Sequence, residues 1–388
     1  MSRLAELITQ LCPDGVEYRA LGDVAELKRG EAVTRKEVVE GQVPVIAGGR
    51  EPAYYIDRSN RQGETIVIAG SGAYAGFVSF WDEPIFVSDA FSIVVDRSVL
   101  QPRFVYHWLS GRQEAIHALK SGGGVPHVYP KDVAKLRCPV PPLEVQREIV
   151  RILDQFTTLE AELEAELEAR RTQYAHYRTH LLSYESLAAR GPVNVIELRD
   201  VGVVRMCKRI HKAETSIQGD IPFFKISTFG GTPTSFISAE LYGKYKEKYP
   251  YPKKGDLLIS AAGTIGQIVR FDGADAYFQD SNIVWLEHDE SIVLNRYLYY
   301  VYLNTRWTTD GGTIKRLYNN RILQQQICVP PIETQIAIAD LLDRFDALVN
   351  DISSGLPAEI AARRAQYEHY RDRLLSFPDK VVSRSNAS

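Results

Sequence analysis

Apolar residues recur at alternating steps of three and four in two separate stretches of this chain. They fall at Ile149, Ile152, Phe156, Leu159 and Leu163, and again at Ile338, Leu341, Phe345, Leu348 and Ile352. That spacing is the a/d seam of a heptad, which lays one apolar stripe along a helix. A lone seam of this kind usually faces a core. Two equal seams in one chain can each serve as the other's partner, so the pattern predicts two long helices paired within the molecule. Each stretch opens on a proline pair, Pro141-Pro142 or Pro330-Pro331, which ends the preceding element and fits a first helical turn. Gly355 and Pro357 interrupt the second stretch and predict a break or kink there.

Elsewhere the pattern shortens. Residues 43–47, 65–69, 76–80 and 91–95 are β-branched or aromatic runs between Gly, Asn and Asp turns, and read as strands. Residues 104–109 read as a helix and 121–124 as a flexible glycine loop. The second half repeats this order. Residues 195–201 parallel 18–24, 220–225 parallel 42–47, 255–260 parallel 63–68, and 311–318 parallel 122–129. The helices repeat most closely. Both open on Pro-Pro-apolar-Glu-x-Gln and close on Ala-Arg-Arg-x-Gln-Tyr-x-His-Tyr-Arg, at 169–178 and 362–371. A repeat this long is not a solenoid but a duplicated half-molecule. The predicted layout is an N-terminal helix (1–14), a globular region (15–138), a helix (139–186), a second globular region (187–328), and a second helix with its tail (329–388).

Length, cysteine usage and charge narrow the class. A chain of 388 residues holds two or more domains, and its hydrophobic content of 45% is ordinary for globular cores. Cys12, Cys138, Cys207 and Cys328 form no C-x-x-C pair, which argues against zinc and a disulfide framework and for a reducing cytoplasm. The N-terminus reads as an amphipathic helix rather than a signal peptide, and no apolar run approaches a membrane span. The net charge of −3 does not by itself suggest nucleic acid. Its distribution does more: residues 139–192 carry six Lys/Arg against nine Asp/Glu, and residues 193–328 carry seventeen against fourteen.

Three motifs invite a catalytic or metal reading. Gly70-x-Gly72-x-x-x-Gly76 follows an apolar strand, but it misses the dinucleotide spacing, and a hairpin turn fits it and Gly263-Thr264-Ile265-Gly266 alike. Pro13-Asp14 with Glu26-Leu27-Lys28 fits a loose metal-nuclease pattern, while a Pro-Asp-Gly turn also explains Asp14. His176 and His180 have metal-ligand spacing on a helix, yet the second copy has Arg373 opposite His180, which favours a solvated stripe. No Asn-Pro-Pro loop for an extruded adenine occurs.

Taken in order and in duplicate, several motifs resemble a known family. They are residues 11–18 (Leu-Cys-Pro-Asp-Gly-Val-Glu-Tyr), Leu21-Gly22-Asp23-Val24, and the two helix openings and closings. The chain is similar along its whole length to the specificity (S) subunits of type I restriction-modification systems. The resemblance implies an α+β fold: two similar α/β target recognition domains separated by two long antiparallel coiled-coil helices, with an internal pseudo-twofold repeat. It implies a chain without catalytic residues, metal or cofactor of its own, reading a split, asymmetric site on double-stranded DNA. It also implies partners: two M (methyltransferase) subunits carrying S-adenosylmethionine, and up to two R (restriction) subunits using ATP and magnesium. A scaffold that holds only protein partners is the rival reading, and a metal nuclease a further one.

The expected DNA contacts are loop residues with hydrogen-bond donors. In the first half they are Lys28, Arg29, Arg35, Lys36, Arg50, Arg58, Arg61, Ser71, Tyr74, His127 and Tyr129. In the second they are Lys208, Arg209, His211, Lys212, Lys225, Thr228, Lys253, Lys254 and Thr264, with the dense run Lys315, Arg316, Tyr318, Asn319, Asn320 and Arg321. Arginine reads guanine and asparagine reads adenine, while lysine and hydroxyls mostly hold phosphate. Singly, each is also what solvated surface looks like. Tyr174, Tyr177, Tyr367 and Tyr370 are the expected partner-docking residues on the helices.

Overall fold

The structure is a computed structural model that describes residues 3–33, 38–122, 124–310 and 315–380. The first half forms β1 (Glu17–Ala20), β2 (Ala25–Arg29), β3 (Val43–Ile46), β4 (Tyr55–Ile56), β5 (Thr65–Ala69), β6 (Val78–Trp81), β7 (Phe86–Val87), β8 (Ala90–Val95) and β9 (Arg137–Val140). The second forms β10 (Asn194–Glu197), β11 (Gly202–Arg205), β12 (Ile221–Phe224), β13 (Phe236–Ile237), β14 (Leu257–Ser260), β15 (Ile268–Arg270), β16 (Tyr277–Phe278), β17 (Ile283–His288) and β18 (Gln326–Val329). The sheets match strand for strand. Orders β1-β9, β2-β8-β5-β6 and β4-β3-β7 recur as β10-β18, β11-β17-β14-β15 and β13-β12-β16. The central strands β5 and β14 are buried along their length, which is why they read as unbroken apolar runs.

The chain divides into two compact units, Met1–Ala165 with Glu359–Ser388, and Glu166–Ala358. Three helices supply the long stretches: Leu143–Leu181, Ile332–Asn350 and Leu356–Leu374. The second helical stretch breaks where Gly355 and Pro357 predict. A Cβ on Gly355 would lie 2.4 Å from the Ala347 carbonyl oxygen, so only glycine fits that turn.

Each seam can be followed within its own unit. In the first unit Ile149 is buried in a core with Phe104 and Trp108, and Phe156 stacks on Tyr370 at 5.4 Å. Arg364 pairs with Glu160 at 2.6 Å and Glu164 at 3.0 Å, so this part of the first long helix runs antiparallel to Leu356–Leu374. In the second unit Ile338 joins a core with Tyr297 and Tyr302, and Phe345 stacks on Tyr177 at 5.5 Å. Leu341, Leu348 and Ile352 are left exposed. The covered seam positions thus face the globular core of their own unit and the closing motif of the other stretch.

The opening motif has a clear physical purpose. Gln146 is fully buried; its amide oxygen accepts from the Gln101 N–H (2.8 Å) and its nitrogen donates to the Val99 (2.8 Å) and Pro141 (2.7 Å) carbonyls. Gln335 repeats the arrangement with Leu294, Ile292 and Pro330 at 2.9, 3.0 and 2.8 Å. Each glutamine ties the helix start to the loop before a helix earlier in its own half, Pro102–Ser110 or Asn295–Asn304.

Candidate nucleic-acid interface

Each unit carries a cleft at the same place in its sheet. In the first, the β5–β6 hairpin, the turn after β7 and the segment around His127 are held by backbone bonds. Gly70 N–H donates to the Asp89 carbonyl (3.1 Å), and Val128 N–H donates to the Gly70 carbonyl (3.0 Å). In the second, Ala261 N–H donates to Asn282 (2.7 Å) and Leu317 N–H to Ala261 (2.9 Å). The glycine motif is a hairpin: Gly72 and Gly76 have positive φ, and β5 and β6 pair antiparallel, which leaves no βαβ unit for a dinucleotide.

The first cleft, of about 400 Å³, is lined by Arg29, Asp89, His127 and Tyr129 among others. Ser71 donates its hydroxyl to the Asp89 carboxylate, and His127 stacks on Tyr129 at 5.9 Å. The second, of about 340 Å³, is lined by Arg209, Lys212, Thr215, Lys225, Asp280, Ser281 and Arg316. Arg209 donates to Asp280 at 2.9 Å, and Arg316 donates to the Ser281 carbonyl at 2.8 Å. Ser281, with φ of 53°, is the one non-glycine residue at positive φ among the described residues, so backbone strain sits on this cleft. Next to it, Arg316, Tyr318, Asn319 and Asn320 line a further hollow of about 420 Å³.

Other candidates are placed less directly. Arg50 lies over Tyr74 at 5.0 Å, and Lys208 over Tyr249 at 5.3 Å. Lys28 and Thr264 are exposed on β2 and the β14–β15 turn, and Lys315, His211 and Lys253 are exposed too. Some donors are already engaged. Arg321 grips Asp310 with two bonds of 2.7 and 2.8 Å, Lys225 donates to Ser235 at 2.7 Å, and the Thr228 hydroxyl caps Lys225 N–H at 3.1 Å. Arg58 lies over Phe86 at 5.7 Å. Arg61 is corrected from a contact to a buried brace, bonded to Ser92 and to the Asn60 and Arg29 carbonyls. Arg35 and Lys36 lie outside the described residues. Asp89 and Asp280 went unread, although each comes two residues after a short strand, β7 or β16, in Val87-Ser88-Asp89 and Phe278-Gln279-Asp280.

The helix tyrosines split into two kinds. Tyr174 and Tyr367 are 5% and 9% exposed, so neither is the docking surface expected of it. Tyr174 donates to Asp346 at 3.1 Å; the Tyr367 hydroxyl lies 2.9 Å from His107 Nδ1. Tyr177 and Tyr370 keep an exposed face. His176 and His180 stack at 6.4 Å on an exposed helix face, and among the described residues no three His, Cys, Asp or Glu gather to hold a metal. Among them too, no helix is long and apolar enough to cross a membrane.

The chain matches the family described as the type I restriction modification DNA specificity domain twice, over residues 13–169 and 191–362. It is 41% identical over 387 residues to a Haemophilus influenzae protein assigned as a type I restriction enzyme specificity subunit, covering 93% of this chain and 96% of that one. It is 31% identical over 304 residues to the specificity subunit of an Escherichia coli type I restriction enzyme, covering 71% of each. The crystal structure of a type I S subunit from M. genitalium shares the fold, with a TM-score of 0.57 at 19% identity, over 93% of this chain and 96% of that chain. A chain from a study of complex assembly and conformational transition in a type I system does likewise, with a TM-score of 0.58 at 18% identity, over 93% and 97%. This chain belongs to the family of type I restriction-modification DNA specificity subunits.

Proposed function

We propose that this specificity subunit is non-catalytic and reads a split, asymmetric DNA site, one half-site in each cleft. The observation that carries this reading is the repeated cleft: one backbone frame, two different sets of side chains. Identical clefts would suit a symmetric site. Arg29, His127 and Tyr129 serve one half-site; Arg209, Lys212, Arg316 and Asn319 serve the other. Methylation of adenine N6 belongs to M subunits carrying S-adenosylmethionine, and cleavage to R subunits using ATP and magnesium. The exposed faces of Tyr177 and Tyr370, each stacked on a phenylalanine, supply part of the M-docking surface.

The test is Arg316→Ala in the complex with its methyltransferase partner. As a base contact, it loses about 1–3 kcal/mol of discrimination at one half-site and none at the other. An equal loss over all sequences makes Arg316 a phosphate contact. Failure of the wild-type complex to shift any duplex removes the DNA reading. Tyr177→Asp with Tyr370→Asp tests docking separately, and unchanged co-purification with the M subunit removes that part.

A further inference from the structure

Both halves hold one exposed β-branched residue at the same position. Ile217 is 86% exposed and Val39 is 56% exposed. Val39-Glu40-Gly41-Gln42-Val43-Pro44 aligns with Ile217-Gln218-Gly219-Asp220-Ile221-Pro222, leading into β3 and β12. The glycine two residues on is required in both. A Cβ on Gly41 would lie 2.3 Å from the Ile56 carbonyl oxygen, and one on Gly219 would lie 2.8 Å from Phe236 Cβ. The loop is therefore pressed onto the neighbouring strand beside its tip. In the second half Ser216 and Phe236 exchange two backbone bonds of 2.9 Å each, and the Ser216 hydroxyl donates to the Gln218 carbonyl. Ile217 is thus held out in water on a fixed loop.

Single exposed apolar residues are common and need no explanation. Here the same kind of residue stands at equivalent positions of two copies whose cleft side chains have diverged. The neighbourhood says what it faces. Thr215, two residues before Ile217, lines the second cleft together with Lys212 and Arg316. In the first half, Arg29 at the end of β2, with Gly30 and Ala32 just after it, lines the first cleft. An apolar tip beside a basic cleft suits DNA in one particular way: it enters between base pairs and unstacks them.

We propose that Ile217 is an apolar wedge inserted between adjacent base pairs of its half-site, and that Val39, shorter by one methyl group, is the weaker equivalent in the other. The proposal rests on the DNA reading above. Lys212 and Arg316 hold the duplex while the wedge opens one step, so sequence is sensed partly through how easily that step unstacks.

The test uses the full chain with its methyltransferase partner and a duplex carrying the site found by mapping methylated adenines. 2-Aminopurine replaces, in turn, each adenine in and beside the second half-site. The adenine extruded for methylation brightens in every active complex. The wedge adds a second, several-fold rise at another position, which Ile217→Ser abolishes and Val39→Ser leaves intact; affinity falls about tenfold. Because Ile217 is exposed, the serine variant folds as the wild type does. No difference in brightening between wild type and Ile217→Ser overturns the wedge. So does loss of M-subunit co-purification in that variant, which would make Ile217 a protein contact. If the wild-type complex binds no duplex, the DNA reading fails first and the wedge with it.

Discussion

Gln146 and Gln335 each satisfy one N–H and two carbonyls in full burial. Replacing Gln146 by leucine, similar in bulk, leaves those three groups without partners, each unmet group costing about 1–3 kcal/mol. Urea unfolding is expected to show a loss of roughly 3 kcal/mol or more on the same basis. The Glu144→Ala neighbour, on an exposed position, is expected to stay near wild type. His107 makes a second residue-scale prediction. Its Nε2–H faces the Asp154 carboxylate at 2.8 Å, and its Nδ1 faces the Tyr367 hydroxyl at 2.9 Å. Burial outweighs the help of Asp154, with Arg103 and Arg371 opposing the charge as well, so the imidazole is held below its ordinary pKa. A depressed histidine binds its proton less well folded than unfolded. Its contribution is whole above about pH 6.5 and falls as pH drops below that, by up to about 1.4 kcal/mol per pH unit. His117, depressed by burial and by Lys120, adds in the same direction. The equivalent position in the second unit is Tyr300, which donates to Asp343 and is pushed up beyond the mild-acid range. His107→Tyr is therefore expected to flatten the fall in urea midpoint between pH 7.5 and 5.5; an unchanged fall assigns it elsewhere.

Among the elements, period and punctuation were legible and partners were not. The heptad pattern located the helices, and Gly355 with Pro357 located the break. A 3.5-residue seam says which face is apolar, not what covers it. Tyr174 and Tyr367 read as apolar interface surface on acidic helices, whereas packing buries them and Asp346 and His107 meet their hydroxyls. Strands of two residues, such as β4, β7, β13 and β16, carry too little pattern to read at all. The first long helix holds one more legible device. Leu159-Glu160-Ala161-Glu162, Leu163-Glu164-Ala165-Glu166 and Leu167-Glu168-Ala169 repeat every four residues without a helix-breaking residue. Adding one Leu-Glu-Ala-Glu unit lengthens a helix by about 6 Å at about 1.5 Å per residue. One base-pair step is about 3.4 Å. If the helix sets the gap between half-sites, the methylated sites of the insertion variant gain one or two central base pairs and keep their half-site sequences. An unchanged gap makes the repeat merely good helix.

At the scale of the whole molecule, duplication was legible because both copies keep the backbone-setting residues, while the clefts were hidden because their side chains come from loops far apart in sequence. Arg29, Asp89 and His127 meet only once the β2–β8–β5 order brings their loops to one edge. That separation lets a cleft change its charge without changing its frame. The first cleft sets Arg29 and His127 against Asp89, whereas the second sets Arg209, Lys212, Lys225 and Arg316 against Asp280. Of these, Arg209 is paired with Asp280 and Lys225 is bonded to Ser235, while Lys212 is exposed at the rim. A rim lysine on a compact point charge suits phosphate rather than a base edge. Each phosphate contact removed makes the fall of log K with log salt shallower by about 0.9. Lys212→Ala is therefore expected to weaken binding alike on every sequence, to reduce that slope by about this much, and to leave both methylated half-sites as they were. A half-site that changes at one base instead would make Lys212 a base reader, and would shift sequence discrimination from the interior of the second cleft to its rim.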